Sequence, residues 1–174
     1  MSEPIRKVAF GYRMGVGKDT AADYLQNVLG GKRMSFAEPI YDILHYAQDR
    51  CGIPRCKDRQ FLQYVGTNWG RKQNKNMWID LVLKNTPENE YVFLSDLRFP
   101  NELKALRENG WYCVKLVRDH DTAREGTGSS THSSETALDS VPNSQWNAVI
   151  YNNGSLTEFL FQLDGLISQI KSRE

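Results

Sequence analysis

Gly15-Val16-Gly17-Lys18-Asp19-Thr20 is the stretch of this chain best suited to bind an anion. Glycines let backbone N–H groups turn inward around a charge, and a helix opening at the lysine adds the partial positive charge of its N-terminus. Lys18 can then reach the terminal phosphates of a nucleotide. Ahead of the loop, Val8-Ala9-Phe10 reads as a short buried strand; beyond it, Ala21, Ala22, Tyr24, Leu25 and Val28 continue a helix. Strand, glycine turn, lysine and helix thus follow in the order phosphate binding requires. The spacing departs from the usual pattern twice. Tyr12 stands six residues before the lysine, where a glycine is usual, and Gly11 lies one position further back. Thr20 is separated from the lysine by Asp19, so a contact from its hydroxyl to magnesium is not assured. The competing reading is a glycine-rich turn that binds nothing.

The elements that would position this loop alternate along the chain. Strands are predicted at Lys7 to Phe10, Arg33 to Phe36, Tyr91 to Ser95, Tyr112 to Val117 and Ala148 to Tyr151. Helices are predicted at Lys18 to Leu29, Pro39 toward Arg50, Lys57 to Tyr64, Met77 to Lys84, Asn101 to Glu108 and Leu156 to Ile170. Such alternation favours a parallel sheet covered on both faces. Gly110 suits a left-handed helix terminus. Ser155-Leu156-Thr157-Glu158 is a capping box after the Asn152-Asn153-Gly154 turn. Leu156, Phe159, Leu160, Leu163, Leu166, Ile167 and Ile170 form an apolar stripe for the core.

Two segments exceed simple connections. Residues 37–89 carry Phe61, Tyr64, Trp69 and Trp78 together with Arg55, Arg59 and Arg71. Residues 119–136 are polar and rich in Gly, Ser and Thr, which predicts either a mobile lid or a plain surface loop. Phosphoryl transfer would use both: an insertion with aromatic and cationic side chains for a flat, anionic acceptor, and a loop that closes over two substrates and excludes water.

Composition bounds the reading. The chain has 174 residues, 40% of them hydrophobic, which suits one α/β domain with a proper core. A formal net charge of +1 offers no general field for a nucleic-acid polymer, so anion binding must come from locally placed arginines. Cys51, Cys56 and Cys113 are odd in number and lack zinc spacing, which points to reduced structural thiols. With no apolar leader and no run long enough to span a bilayer, the expectation is a soluble cytoplasmic protein with no membrane partner.

From end to end the chain resembles the deoxynucleoside monophosphate kinases of tailed bacteriophages, members of the P-loop nucleoside monophosphate kinase group. The resemblance rests on Gly17-Lys18-Asp19-Thr20-Ala21-Ala22-Asp23-Tyr24-Leu25, Phe36-Ala37-Glu38-Pro39-Ile40, Leu62-Gln63-Tyr64-Val65-Gly66-Thr67 and Met77-Trp78-Ile79. It continues through Ser95-Asp96-Leu97-Arg98-Phe99-Pro100-Asn101-Glu102, Val117-Arg118, Thr131-His132-Ser133-Ser134-Glu135 and Asn153-Gly154-Ser155-Leu156. No single motif is decisive; their order is specific.

The resemblance implies an α/β P-loop kinase: a three-layer sandwich with a mainly parallel five-stranded sheet, a helical acceptor-binding insertion at 37–90 and a lid at 118–136, in one domain. It implies transfer of the γ-phosphoryl group of ATP, with Mg2+, to a deoxynucleoside 5'-monophosphate. A host-cell cytoplasmic location follows if the chain is viral, and the oligomeric state, a homodimer included, stays open. Gly15, Val16, Gly17, Lys18, Asp19 and Thr20 would bind ATP, joined by Arg118 and Arg124 at the lid. Asp96, ending a buried strand, would hold magnesium through water, with a turn or helix cap as the competing role. Arg98 would grip the acceptor phosphate bidentately, against a structural pairing with Glu102. Phe36, Arg59, Gln63, Arg71 and Trp78 would serve the acceptor, against the common use of such aromatics in a core. Lys18, Arg98, Arg118 and Asp96 form the catalytic set, while His132 and Glu135 would shape the lid's return. A kinase of another small phosphorylated acceptor, similar to animal phosphomevalonate kinases, and a non-catalytic ATP-binding regulatory module are the alternatives.

Overall fold

A computed structural model describes residues 4–119 and 136–173 of the chain. They form two compact units, one of the described residues within 1–34 and 87–174 and a smaller one of residues Ser35–Thr86.

The larger unit is built on a five-stranded, wholly parallel sheet. Its strands are β1 (Lys7–Gly11), β2 (Lys32–Met34), β3 (Val92–Leu97), β4 (Tyr112–Val117) and β5 (Ala148–Tyr151), in the order β2-β3-β1-β4-β5. Helices α1 (Lys18–Leu29), α6 (Pro100–Glu108) and α7 (Leu156–Lys171) cover it. One core joins Val8, Phe10, Phe93, Val114, Leu116 and Ile150 of the strands to Ala21, Ala22 and Leu25 of α1 and Phe159, Leu163, Ile167 and Ile170 of α7. Leu103 and Leu106 of α6 are buried as well. A strand with side chains packed on both faces must be apolar almost throughout, and β1, β3 and β4 are.

Local chemistry sets the boundaries. β4, β5 and α1 fall at their expected residues. β2 stops at Met34, short of the expected Phe36, because Ser35 Oγ accepts the Ala37 N–H at 3.0 Å and turns the chain. Ser155 caps α7 by accepting the Glu158 N–H at 3.2 Å, and the Glu158 carboxylate accepts the Ser155 N–H at 2.6 Å. Gly110 takes φ 77° beyond α6. Because all strands run parallel, the ends of β1, β3, β4 and β5 lie along one edge. β1 is the strand from which the order departs in both directions, the place where such sheets bind ligands.

The smaller unit contains α2 (Glu38–Arg50), α3 (Arg59–Gln63), a π-helical turn at Tyr64–Gly70, α4 (Arg71–Gln73) and α5 (Met77–Asn85). α3 starts two residues later than expected because Asp58 caps it, accepting the Phe61 N–H at 3.0 Å. Trp78 packs on the π turn. Its indole N–H donates to the Gly66 carbonyl at 2.8 Å. A Cβ on Gly70 would lie 2.4 Å from the Trp78 ring, so glycine is required there.

Candidate phosphate-binding site

Residues 12–17 connect the end of β1 to α1, and three of them take positive φ: Tyr12 at 106°, Gly15 at 80° and Gly17 at 99°. Tyr12, standing where a glycine is usual, thus takes a backbone conformation that glycine favours. Such a conformation in a bulky residue costs about 1–3 kcal/mol and persists only where surrounding structure holds it. Gly11 is glycine for another reason: a Cβ there would lie 2.7 Å from the Trp146 ring that packs on it.

Two shells hold the loop. On the inside, the Lys18 ammonium donates to the Tyr12 carbonyl at 3.2 Å and to the Arg13 carbonyl, with the side chain almost wholly buried. On the outside, the Lys115 ammonium lies 4.4 Å from the centroid of the Tyr12 ring and donates to Asn143 Oδ1 at 3.0 Å. A desolvated cation–π contact is worth about 2 kcal/mol or more, comparable to the strain at Tyr12. Burial lowers the Lys115 pKa from its ordinary value. Arg13 forms a two-pronged pair with Asp139, at 2.6 and 3.1 Å, which lowers the pKa of that carboxyl. Burial and the neighbouring Asp139 raise that of the Tyr12 phenol.

Asn152 fastens the far side. Its side-chain amide donates to the Val16 carbonyl at 3.0 Å, and its N–H donates to Val117 O at 2.8 Å. Asn153 then bonds Asp119 in both directions, Asp119 N–H to Oδ1 at 2.9 Å and Nδ2 to Asp119 Oδ2 at 2.5 Å. These bonds fix the backbone on either side of Arg118 at the edge where the loop lies.

At the end of β3, Ala9 and Gly11 of β1 face Leu94 and Leu97, so β3 carries one extra residue at Ser95-Asp96. A bulge of this kind re-aims side chains, and bulges recur beside functional sites. Ser95 Oγ donates to Asp19 at 2.5 Å and accepts from Arg33 at 2.6 Å, while Arg33 also reaches Asp19 at 3.2 Å and Asp23. Asp19 is therefore tied to the strand end, and Thr20 is exposed. Asp96 is half-buried within the bulge. Buried Glu102 accepts the Arg98 and Phe99 N–H groups at 2.9 and 3.0 Å, so it fixes the Arg98 backbone as an N-terminal cap of α6. Among the described residues no group of three or more His, Cys, Asp or Glu could hold a metal by itself.

In the smaller unit Arg59 and Gln63 are exposed on α3, and Arg71 is half-buried. Trp78 is 2% exposed and Phe36 4%. Such burial favours the core role of Trp78 over the base-stacking one. Phe36, expected beside the acceptor, is likewise buried. Arg124, His132, Glu135 and nearly all of the expected lid lie outside the described residues.

Tyr12, Arg13, Arg33, Lys115, Asp139 and Asn152 were not foreseen as site residues. One signal was available. Lys115 interrupts an otherwise apolar strand, and a buried lysine without a purpose is rare.

The parallel sheet, its strand order and a glycine–lysine loop at the end of the central strand define the P-loop kinase fold. Solved structures agree. A gluconokinase from Sinorhizobium meliloti 1021 superposes with a TM-score of 0.58 at 15% identity, covering 98% of this chain and 97% of that one. A shikimate kinase from Bacteroides thetaiotaomicron gives 0.59 at 14% identity, covering 95% and 98%. No family model matches the sequence. A protein of Acanthamoeba polyphaga mimivirus named "Putative deoxynucleotide monophosphate kinase" is 31% identical over 181 aligned residues, covering 86% of this chain and 89% of that protein. The chain belongs to the family of that mimivirus protein. "Uncharacterized protein ORF77" of Ictalurid herpesvirus 1 (strain Auburn) is 34% identical over 140 residues, covering 76% of this chain and 58% of its own length.

Proposed function

We propose that this chain transfers the γ-phosphoryl group of ATP to a deoxynucleoside 5'-monophosphate, as the name of its mimivirus relative and its resemblance to the phage enzymes suggest. The observation that carries the reading is the phosphate loop, with the buried Lys18 ammonium held against its carbonyls at the end of β1. Backbone N–H groups of residues 15–20 and the start of α1 receive the donor phosphates. Lys18 stabilises the charge that spreads over the oxygens of the migrating group. Arg98 binds the acceptor phosphate, and Arg118 adds positive charge at the β4 end. The flat acceptor is served by Arg59, Gln63 and Arg71.

Mg2+ takes oxygen ligands and is commonly held by one or two carboxylates plus substrate phosphates. Asp19 and Asp96 suit that requirement, and Ser95 and Arg33 hold the first in place. When bound, the ion neutralises charge on the donor phosphates. No general base is needed, since a phosphate acceptor is already ionised.

The test is coupled ADP release with Mg-ATP and a panel of deoxynucleoside and ribonucleoside monophosphates and phosphomevalonate. Turnover on deoxynucleoside monophosphates supports the proposal. Turnover on phosphomevalonate alone, or ATP binding without any transfer, overturns it.

A further inference from the structure

We infer that Tyr12 and Lys115 are positioning residues for Lys18, acting through the backbone of the phosphate loop. The inference rests on the proposed nucleotide-binding role of that loop and goes beyond it, because neither side chain belongs to the phosphate-binding pattern.

Tyr12 is the one non-glycine residue with positive φ among the described residues. Its carbonyl and that of Arg13 receive the Lys18 ammonium. The side chains of the same two residues point to a shelf formed by Lys115 of β4 and residues 139–143. The Tyr12 ring lies on the Lys115 ammonium at 4.4 Å, and Arg13 pairs with Asp139 at 2.6 Å. Lys115 is itself fixed by Asn143 Oδ1 at 3.0 Å. Residues 12 and 13 are therefore held at both ends, with side chains on the shelf and carbonyls on the catalytic lysine.

A glycine at position 12 would adopt this backbone freely. A tyrosine adopts it because its ring is held. The chain has exchanged backbone freedom for a side-chain anchor, and the anchor extends the loop's dependence to a lysine on a neighbouring strand. Losing the anchor lets Tyr12 relax toward negative φ, which swings its carbonyl away from Lys18. The nucleotide site then loses its preformed geometry, while the sheet and its core stay in place.

The experiment is calorimetric titration with Mg2+ and the β,γ-imido analogue of ATP, on wild type, Lys115→Met, Tyr12→Gly and the double variant, with folding checked by circular dichroism. Lys115→Met is expected to weaken binding by about thirtyfold, the scale of one lost desolvated cation–π contact. In the Tyr12→Gly background the same change is expected to alter binding less than about twofold, because glycine needs no anchor. A purely structural lysine would weaken binding equally in both backgrounds, and that outcome overturns the inference. So does wild-type affinity in folded Lys115→Met. Should Lys115→Met not fold, Tyr12→Leu and Tyr12→Phe decide: Leu must weaken binding and Phe, which keeps the ring, must recover most of it. Equal affinities for those two overturn the inference. If wild type binds no nucleotide, the underlying functional reading falls as well; binding with no coupling between positions 12 and 115 sinks the positioning role alone.

Discussion

Replacing Gly17 by alanine isolates how tightly the phosphate loop is built into the fold. Gly17 has φ 99°, and an added Cβ would lie 2.8 Å from Asn152 Nδ2 and 3.2 Å from Phe159 Cε1. The positive φ alone costs an L-residue about 1–2 kcal/mol. Displacing the Asn152 amide would also break its bond to the Val16 carbonyl, 3.0 Å in the native loop. Leaving a buried polar group unpaired costs about 1–3 kcal/mol. The sum is about 2–5 kcal/mol, and at this chain length about 2–4 °C of melting temperature per kcal/mol gives a fall of about 4–20 °C. Gly110→Ala serves as the control, since Gly110 has φ 77° but open space around its Cβ position, so it bears the backbone cost alone. Urea unfolding at constant slope and calorimetry measure both variants. If Gly17→Ala is no more destabilising than Gly110→Ala, the Asn152 clamp does not hold the loop.

Three further outcomes are expected. Asp139 has its pKa lowered by the Arg13 hydrogen bonds, so the pair contributes above the unfolded carboxyl pKa of about 4 and is lost as pH falls through the lower folded value. Both side chains are substantially exposed, so the contribution is below about 1 kcal/mol; Asp139→Asn should remove that acid-side loss, and urea midpoints against pH show it. Burial pushes the Cys113 thiol up to about 12 while Cys51 and Cys56 are exposed, so a thiol reagent at pH 8 should label two cysteines in the native protein and the third only after denaturation. Ser95→Ala should leave the fold intact but raise the Mg-ATP Michaelis constant by about tenfold, the scale of one lost charge-assisted hydrogen bond, because Asp19 loses its 2.5 Å donor; an unchanged constant contradicts the role given to that carboxylate.

The frame was legible because it depends on local rules. Apolar runs bounded by turn residues located β4 and β5, and the Ser155–Glu158 box marked the start of α7. What the sequence concealed depends on contacts between distant residues. Tyr12 read as a defect in the loop pattern, since nothing nearby in sequence announces that Lys115 lies under its ring. Arg33 appeared only as the first residue of a predicted strand, and pairing of β2 with β3 brings it to Ser95. Trp78 read equally as a base-stacking ring or a core side chain, because an aromatic looks the same in sequence whether a core or a ligand covers it. Only its bond to the Gly66 carbonyl reveals which. The π turn at Tyr64–Gly70, on which that indole packs, has no signature in the local sequence.

The central claim, that Lys18 serves phosphoryl transfer to a deoxynucleoside monophosphate, is tested most directly by product analysis after single turnover. Wild type and Lys18→Ala are each mixed in excess with γ-labelled ATP, Mg2+ and each deoxynucleoside monophosphate in turn. The account predicts labelled deoxynucleoside diphosphate from wild type with at least one acceptor, and formation slower by a factor of at least about a hundred from a folded Lys18→Ala. Label that stays on ATP or appears only as free phosphate with every acceptor, or a folded Lys18→Ala that matches wild type, would contradict it.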